Sequence, residues 1–156
     1  MIIREAKTSD LEKIIALAVD SVVFSQSPFR DTPLEEVKRF RQKDLSQLFG
    51  LLGQPHVGVF VAEEEGEFVG HVIVLSGVVE SVSGEEQGWI IDLSVKPSFW
   101  GKGISKALSE KAEAFVLSKG LKYLGLGVTS QNKRAVRFYE KMGFVEERKR
   151  MIKRLV

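Results

Sequence analysis

The chain has 156 residues, no cysteine and only two histidines, His56 and His71. Those counts exclude thiol nucleophiles, thiolate zinc sites, Cys-ligated iron–sulfur clusters and a histidine-rich metal centre. Lys and Arg number 23 against 21 Asp and Glu, a net charge of +2, too near balance for the basic footprint of a nucleic-acid binder.

This length fits one domain of about 100–200 residues, so residues 1–156 are read as a single domain. At that size a chain hides about 68–70% of its unfolded surface and needs no disulfide or metal staple. No apolar run reaches the ~18–20 residues of a membrane span, and Met1-Ile2-Ile3-Arg4-Glu5 lacks the pattern of a signal peptide. The expectation is a soluble cytoplasmic protein with no membrane partner and no nucleic-acid partner.

Ile2 to Ala6 reads as a short first strand. Ser9-Asp10-Leu11-Glu12 has capping-box spacing, and Leu11, Ile14, Ile15, Ala18 and Val22 follow at helical period. A turn-rich loop, Ser25 to Asp31, precedes Thr32-Pro33-Leu34-Glu35, a second capping box with Pro at the first helical position. The apolar stripe Leu34, Val37, Leu45, Leu48 and Leu52 then predicts a helix ending near Gly53.

From Val57 the period becomes two. Val57, Val59 and Val61 alternate with Gly58, Phe60 and Ala62, and Glu64-Glu65-Gly66-Glu67 forms a turn before the β-rich run Phe68 to Val79. The pair reads as an antiparallel hairpin. Trp89 to Val95 is a third strand of this group, stopped by Pro97. A helix follows over about Gly103 to Lys119, with Gly120 as its stop. Leu121 to Val128 is a strand, Lys133 to Met142 a short helix, and Phe144 to Leu155 a last strand with solvated charges. The order β-α-α-β-β-β-α-β-α-β predicts a three-layer α+β fold.

The most informative segment is Val95 to Leu108, where a strand ends and Gly101, Gly103 and Ser105 surround a helix start. The first N–H groups of a helix lack intrahelical partners, and the macrodipole puts about half a positive charge there. Small residues let a phosphate approach those donors, and Lys102 and Lys106 add positive charge. The competing reading is a plain glycine turn before a packed helix. No window supplies the Walker pattern, and Lys106 occupies the third glycine position of the Rossmann pattern.

The segment resembles the acyl-CoA pyrophosphate loop of the GNAT superfamily of N-acetyltransferases, Gln/Arg-x-x-Gly-x-Gly/Ala after a strand ending near Val-x-Pro. Trp100 falls at the Gln/Arg position, Gly103 at the fixed glycine and Ser105 at the last small position. Asn132 to Phe144 is similar to the family signature Asn-x-x-Ala-x-x-Phe-Tyr-x-x-x-Gly-Phe, and Ile3-Arg4-Glu5-Ala6 through Leu11 matches the family's opening. The resemblance implies a mixed, mostly antiparallel central sheet with a splayed strand pair between helical layers.

It also implies acetyl-CoA as cosubstrate and transfer to a primary amine, with no metal. Cofactor contacts then fall to Leu93 and Val95 on the central strand. Others fall to the loop residues Trp100, Gly101, Lys102, Gly103, Ile104, Ser105 and Lys106, and to Asn132 and Phe138. Trp100 brings no guanidinium or amide, so only its backbone N–H can serve a phosphate from that position. Gly125 and Gly127 either admit a close ligand or serve packing.

Tyr139 is the candidate for stabilising the leaving thiolate. It lies about 10 Å along the helix from Asn132 on the same face. The strand glutamate of many family members matches Trp89 or Ile90 here, which leaves Asp92 as the candidate base, with Glu63 as a second. Asp92 as a locally bonded structural group is the alternative. Phe24, Pro28, Phe29 and Arg30 mark the expected acceptor side, with the turn at Glu80–Gly88, and the two histidines read as ordinary strand and loop residues. The family implication of a homodimer through the C-terminal strands or a flank, and an acyl-CoA-sensing module without efficient transfer, complete the expectations.

Overall fold

The computed structural model describes residues 1–156. Its centre is a five-stranded sheet in the spatial order β1-β2-β3-β4-β5, comprising β1 (Ile2–Glu5), β2 (Val57–Glu64), β3 (Glu67–Val79), β4 (Glu86–Val95) and β5 (Leu124–Leu126). The first four are joined antiparallel, and β5 pairs with β4 in parallel. Residues 57–62 are buried without interruption, as expected for a strand covered on both faces.

Each face carries its own apolar layer. α1 (Leu11–Ser25) and α2 (Leu34–Leu45) cover one, where Leu11, Ile14, Ile15 and Ala18 pack on Val57, Val59, Val61 and Ile73. α4 (Ile104–Ser118) covers the other, setting Ile104, Leu108, Ala112 and Val116 against Phe60, Val72, Val74 and Ile90. The short α3 (Leu48–Leu51) ends the second helical stretch, and α5 (Lys133–Lys141) follows β5. The result is the expected three-layer α+β arrangement.

Local chemistry departs from the sequence reading in four places. The first helix begins after a 3-10 turn at Thr8–Asp10, and the capping work falls to Asp10 rather than Ser9. Its Oδ2 accepts from the Lys7 N–H at 2.7 Å, and Arg4 grips both carboxylate oxygens at 2.8 and 3.0 Å. The second capping box is absent: Pro33 is the N-cap and no side chain caps α2. The stripe expected to run unbroken from Leu34 to Leu52 breaks between Leu45 and Leu48.

The last expected strand does not form. Residues 145–156 have no ladder partner, and Val145, Met151 and Leu155 stay exposed. With no face to bury, the few apolar residues among these charges gain nothing from a strand. The segment is held instead by ion pairs, Arg148 to Glu80 at 2.6 Å and Arg154 to Asp31 at 2.8 Å. No helix is long and apolar enough to cross a membrane.

Candidate active site

The site grows from one irregularity in β4. Ile73 pairs with Asp92 but Val74 pairs with Ile90, so Ile91 is an extra residue, a β-bulge. Before the bulge the Gly88 N–H points to β5, donating to the Tyr123 carbonyl at 2.8 Å. After it the Lys96 N–H donates to Val69 of β3 at 2.9 Å. Antiparallel ladders alternate, so residues 92, 94 and 96 now face β3. The main-chain groups of Leu93 and Val95 turn toward β5.

They find no strand there, because the β4–β5 pairing stops at Ile90 and Leu126. The strands diverge, and Leu93 and Val95 line the resulting cleft. One of the freed groups is used: the Val95 carbonyl accepts from the Trp100 indole Nε1 at 2.8 Å.

Gly101 and Gly103 both sit at φ +79°, and a Cβ on either would meet nothing within 4 Å. Their glycines are needed for backbone conformation, and the space above them is open. Gly103 is the N-cap of α4, leaving the N–H groups of Ile104, Ser105 and Lys106 without intrahelical acceptors. The Ile104 side chain belongs to the core at 1% exposure, so only its backbone faces the loop. Lys102 lies over the Phe99 ring at 4.7 Å, and Lys106 approaches Glu110 at 3.8 Å.

Trp100 does not play the part its position suggests. Its N–H is taken by the Pro97 carbonyl at 3.2 Å, which corrects the expectation that this group would serve a phosphate. The indole packs edge-on to Phe24 at 5.1 Å, and the Arg134 guanidinium stacks on it. Nearby, the Thr129 hydroxyl donates to the Ser25 carbonyl at 2.5 Å. The end of α1 therefore touches both banks of the cleft, through Phe24 on the β4 side and Ser25 on the β5 side.

Asn132 caps α5, its Oδ1 accepting from the Ala135 N–H at 3.3 Å, which leaves its amide NH2 free. Phe138 stands edge-on to Tyr139 at 5.1 Å, and Phe144 closes the other side at 5.5 Å. Burial and the charge of Asp92 push the Tyr139 hydroxyl up to about 12, and no hydrogen bond contributes to the shift.

Asp92 sits in a buried ionic network. Its Oδ1 accepts from Arg41 of α2 at 2.8 Å, and its Oδ2 accepts from the Ser94 hydroxyl at 2.8 Å. His71 Nε2 shares a third hydrogen bond with Oδ2 at 2.7 Å. Burial alone would raise the carboxyl, but the His71 hydrogen bond and the charges of His71 and Arg41 outweigh it and hold Asp92 at about 2. Arg41 also donates to the Ile91 carbonyl at 3.3 Å, satisfying a main-chain group at the bulge. A carboxylate this stabilised is a weak base at neutral pH.

Glu63 lies elsewhere. It is committed to Arg4, accepting from Nη2 at 2.5 Å at the β1–β2 edge, two strands from β4. Gly125 answers to packing, since a Cβ there would meet the Trp89 ring at 2.7 Å; Gly127 has only one Trp89 atom within 4 Å, at 3.9 Å. Of the expected acceptor-side residues, Phe24 packs on Trp100 while Phe29 is 64% exposed.

Two members of the network were not legible in the sequence. His71 is fully buried, stacked on Phe68 at 6.2 Å, with its Nδ1 unpartnered. A lone polar residue in the run Val69–Leu75 was the only sign of it. Arg41 carries no sign at all, being one cation among many on α2.

Residues 3–144 match the acetyltransferase (GNAT) family. An N-acetyltransferase of Archaeoglobus fulgidus, itself uncharacterized, is 35% identical over 140 residues, 89% of each chain. The mycothiol acetyltransferase of Streptomyces coelicolor is 31% identical over 130 residues, 83% of this chain and 38% of that longer protein. A solved Pyrococcus furiosus chain superposes with a TM-score of 0.79 at 29% identity over 99% of both. The bulged β4, the strand that diverges from it and the glycine-flanked start of α4 agree with these matches, and the chain belongs to the GNAT family of acetyltransferases.

Proposed function

We propose that this protein moves an acetyl group from the thioester of acetyl-CoA directly to a primary amine, of a small molecule or a peptide N-terminus. Acetyl-CoA supplies the activated acyl group and a thiol leaving group. The observation that carries the reading is the cleft: the Leu93 main chain and the Val95 N–H are left without a strand partner, and the Tyr139 hydroxyl has no hydrogen-bond partner within the chain. With no cysteine in the chain, an acetyl-cysteine relay is not available.

The residues present fit the cofactor. The open space over Gly101 and Gly103 admits a pyrophosphate to the free N–H groups of α4, with Arg134 and Lys102 as nearby cations. Asn132 and Phe138 flank the arm that would lie along the cleft. The Val95 N–H is a fixed dipole aimed where a thioester oxygen acquires charge, and such preorganised donors need no reorganisation during reaction.

Tyr139 acts on the sulfur side. A hydroxyl at about 12 facing a thiolate whose conjugate acid lies near 8.5 makes full proton donation uphill by about 5 kcal/mol. A hydrogen bond that stabilises the thiolate is therefore its role, with the proton arriving from solvent. Asp92 anchors the bulge and is not the base. The amine enters between the α1–α2 loop and the β3–β4 turn, the two segments that the C-terminal stretch ties down through Asp31 and Glu80.

The test is thiol release from acetyl-CoA in the presence of an amine panel, with mass spectrometry of the acceptor. Acetylated amine in proportion to released thiol is the expected result. Acetyl-CoA binding without turnover across polyamines, amino acids, aminoglycosides and peptides would overturn the reading in favour of a sensing module.

A further inference from the structure

Amine acetylation needs a neutral nitrogen, so something must take the proton of an ammonium ion before attack. The groups facing the reaction cleft are few. Asp92 on β4 holds three donors on its two oxygens, from Arg41 of α2, His71 of β3 and its neighbour Ser94. A carboxylate has about four acceptor positions, and the side chain is only 13% exposed.

Arg41 cancels the charge of Asp92 and also contacts Asp44 at 3.4 Å. The charge of Asp92, after burial, helps to raise the Tyr139 hydroxyl. At the acceptor entrance Glu80 is matched by Arg148 and Asp31 by Arg154, while Glu85 and Glu86 of the same turn stand exposed to solvent without an ion-pair partner. Asp92, the buried carboxylate of the cleft, is thus engaged on both oxygens and is not free to take up a proton or to pair with an ammonium ion.

We propose that the acceptors of this enzyme are weakly basic amines, the α-amino groups of peptides or amino-acid derivatives, and that it discriminates against lysine-like alkyl amines and polyamines, because Arg41, His71 and Ser94 have already occupied Asp92. The inference rests on the acetyl-transfer reading above. Near neutrality an α-amine with pKa about 7.7–8.0 is neutral in a sizeable fraction, while an alkyl amine near about 10.4 is neutral in roughly one molecule per thousand. The reactive species differ by about two orders of magnitude. The greater nucleophilicity of the stronger base returns part of that, leaving a preference of about tenfold or more.

The experiment compares kcat/KM for glycinamide and an alanyl peptide amide with isobutylamine, spermidine and an N-blocked lysine peptide, each from about pH 7 to about pH 10. The expected result is at least a roughly tenfold preference for the α-amines near pH 7.5 that shrinks as pH rises and the alkyl amines lose their protons. Equal or better use of the alkyl amines near neutrality, or a ratio that does not move with pH, overturns the inference while leaving acetyl transfer standing. Failure to acetylate any amine while acetyl-CoA still binds overturns the transferase reading beneath it.

Arg41→Gln adds a second readout. Freeing Oδ1 of Asp92 should narrow the preference by about tenfold, in the direction of the alkyl amines; an unchanged ratio overturns the role given to Asp92. The wild-type pH series decides the preference even where that variant does not fold.

Discussion

The guanidinium carbon of Arg134 lies 3.3 Å from the centroid of the Trp100 indole. Trp100 stands where the family pattern has Gln or Arg, so the loop itself brings no cation at that place. The start of α5 brings one instead, pressed flat against the residue that displaced it. Burial lowers the Arg134 pKa, yet a guanidinium stays charged at any working pH.

Loss of that cation is expected to weaken cofactor binding through the phosphates alone. A hydrogen bond to a charged group contributes about 1.5–3 kcal/mol, so Arg134→Ala should raise the KM for acetyl-CoA by about tenfold to a hundredfold. S-Acetylpantetheine, which has no pyrophosphate, should be used equally well by both proteins. Steady-state kinetics with the two donors makes the check, and an equal loss on both would assign Arg134 to packing.

Tyr139→Phe removes the hydroxyl from the leaving-group side while keeping the aromatic contacts with Phe138 and Phe144. Turnover should fall by about a hundredfold or more with acetyl-CoA affinity nearly intact. Because the hydroxyl is raised to about 12, it stays protonated through the working range. The pH–rate profile of the unmodified enzyme should show no loss from Tyr139 below about pH 10, and a loss that vanished in the Phe variant would contradict this assignment.

Asp92 also links stability to acid. Its carboxyl is depressed in the folded chain to about 2 from an ordinary value near 3.8. The stabilisation is therefore complete above pH about 4 and is lost as pH falls toward about 2. It amounts to about 2 kcal/mol at neutrality. Denaturant unfolding of the parent chain and Asp92→Asn should differ most near pH 7, and the gap should close in acid. A constant gap would mean that Asn disrupts packing rather than charge.

The start of the β4–β5 pair is sterically exact. A Cβ built on Gly88 would lie 2.2 Å from Cγ2 of Val116 on α4, well inside contact. Gly88→Ala should destabilise by about 1–3 kcal/mol. Combined with Val116→Ala it should cost less than the two single changes added together. Unfolding midpoints of the three variants measure that coupling.

The helices and the antiparallel strands were legible because their signals are local. Apolar residues at i, i+3, i+4 and i+7 in α1, and alternation in β2, follow from burial on one side or two. The glycine-flanked start of α4 was readable for the same reason. What lay outside the sequence is everything that one segment does to another. Asp92 looks like a free acid until Arg41, 51 positions away, and His71, 21 positions away, are brought onto it.

Trp100 looked like a weakened phosphate contact until Arg134 was found against it. The last strand failed for a related reason: no neighbouring face was left to bury Val145, Met151 or Leu155. The capping boxes at Ser9 and Thr32 were overridden by Asp10, whose grip on Arg4 joins the first strand to α1, and by Pro33 at the start of α2.

The end of α1 has a consequence for the order of events. Phe24 leans on Trp100 and Ser25 holds Thr129, so the two diverging strands are spanned by an arch. An aromatic contact and one hydrogen bond of this kind contribute about 1 kcal/mol each, too little to keep the arch shut against thermal motion. A long flexible ligand lying in the cleft would therefore pass beneath it. Once threaded, such a ligand is held by topology as well as by contacts. If acetyl-CoA lies there, the donor would board first and leave last, and the product-inhibition pattern of an ordered mechanism is the expected outcome.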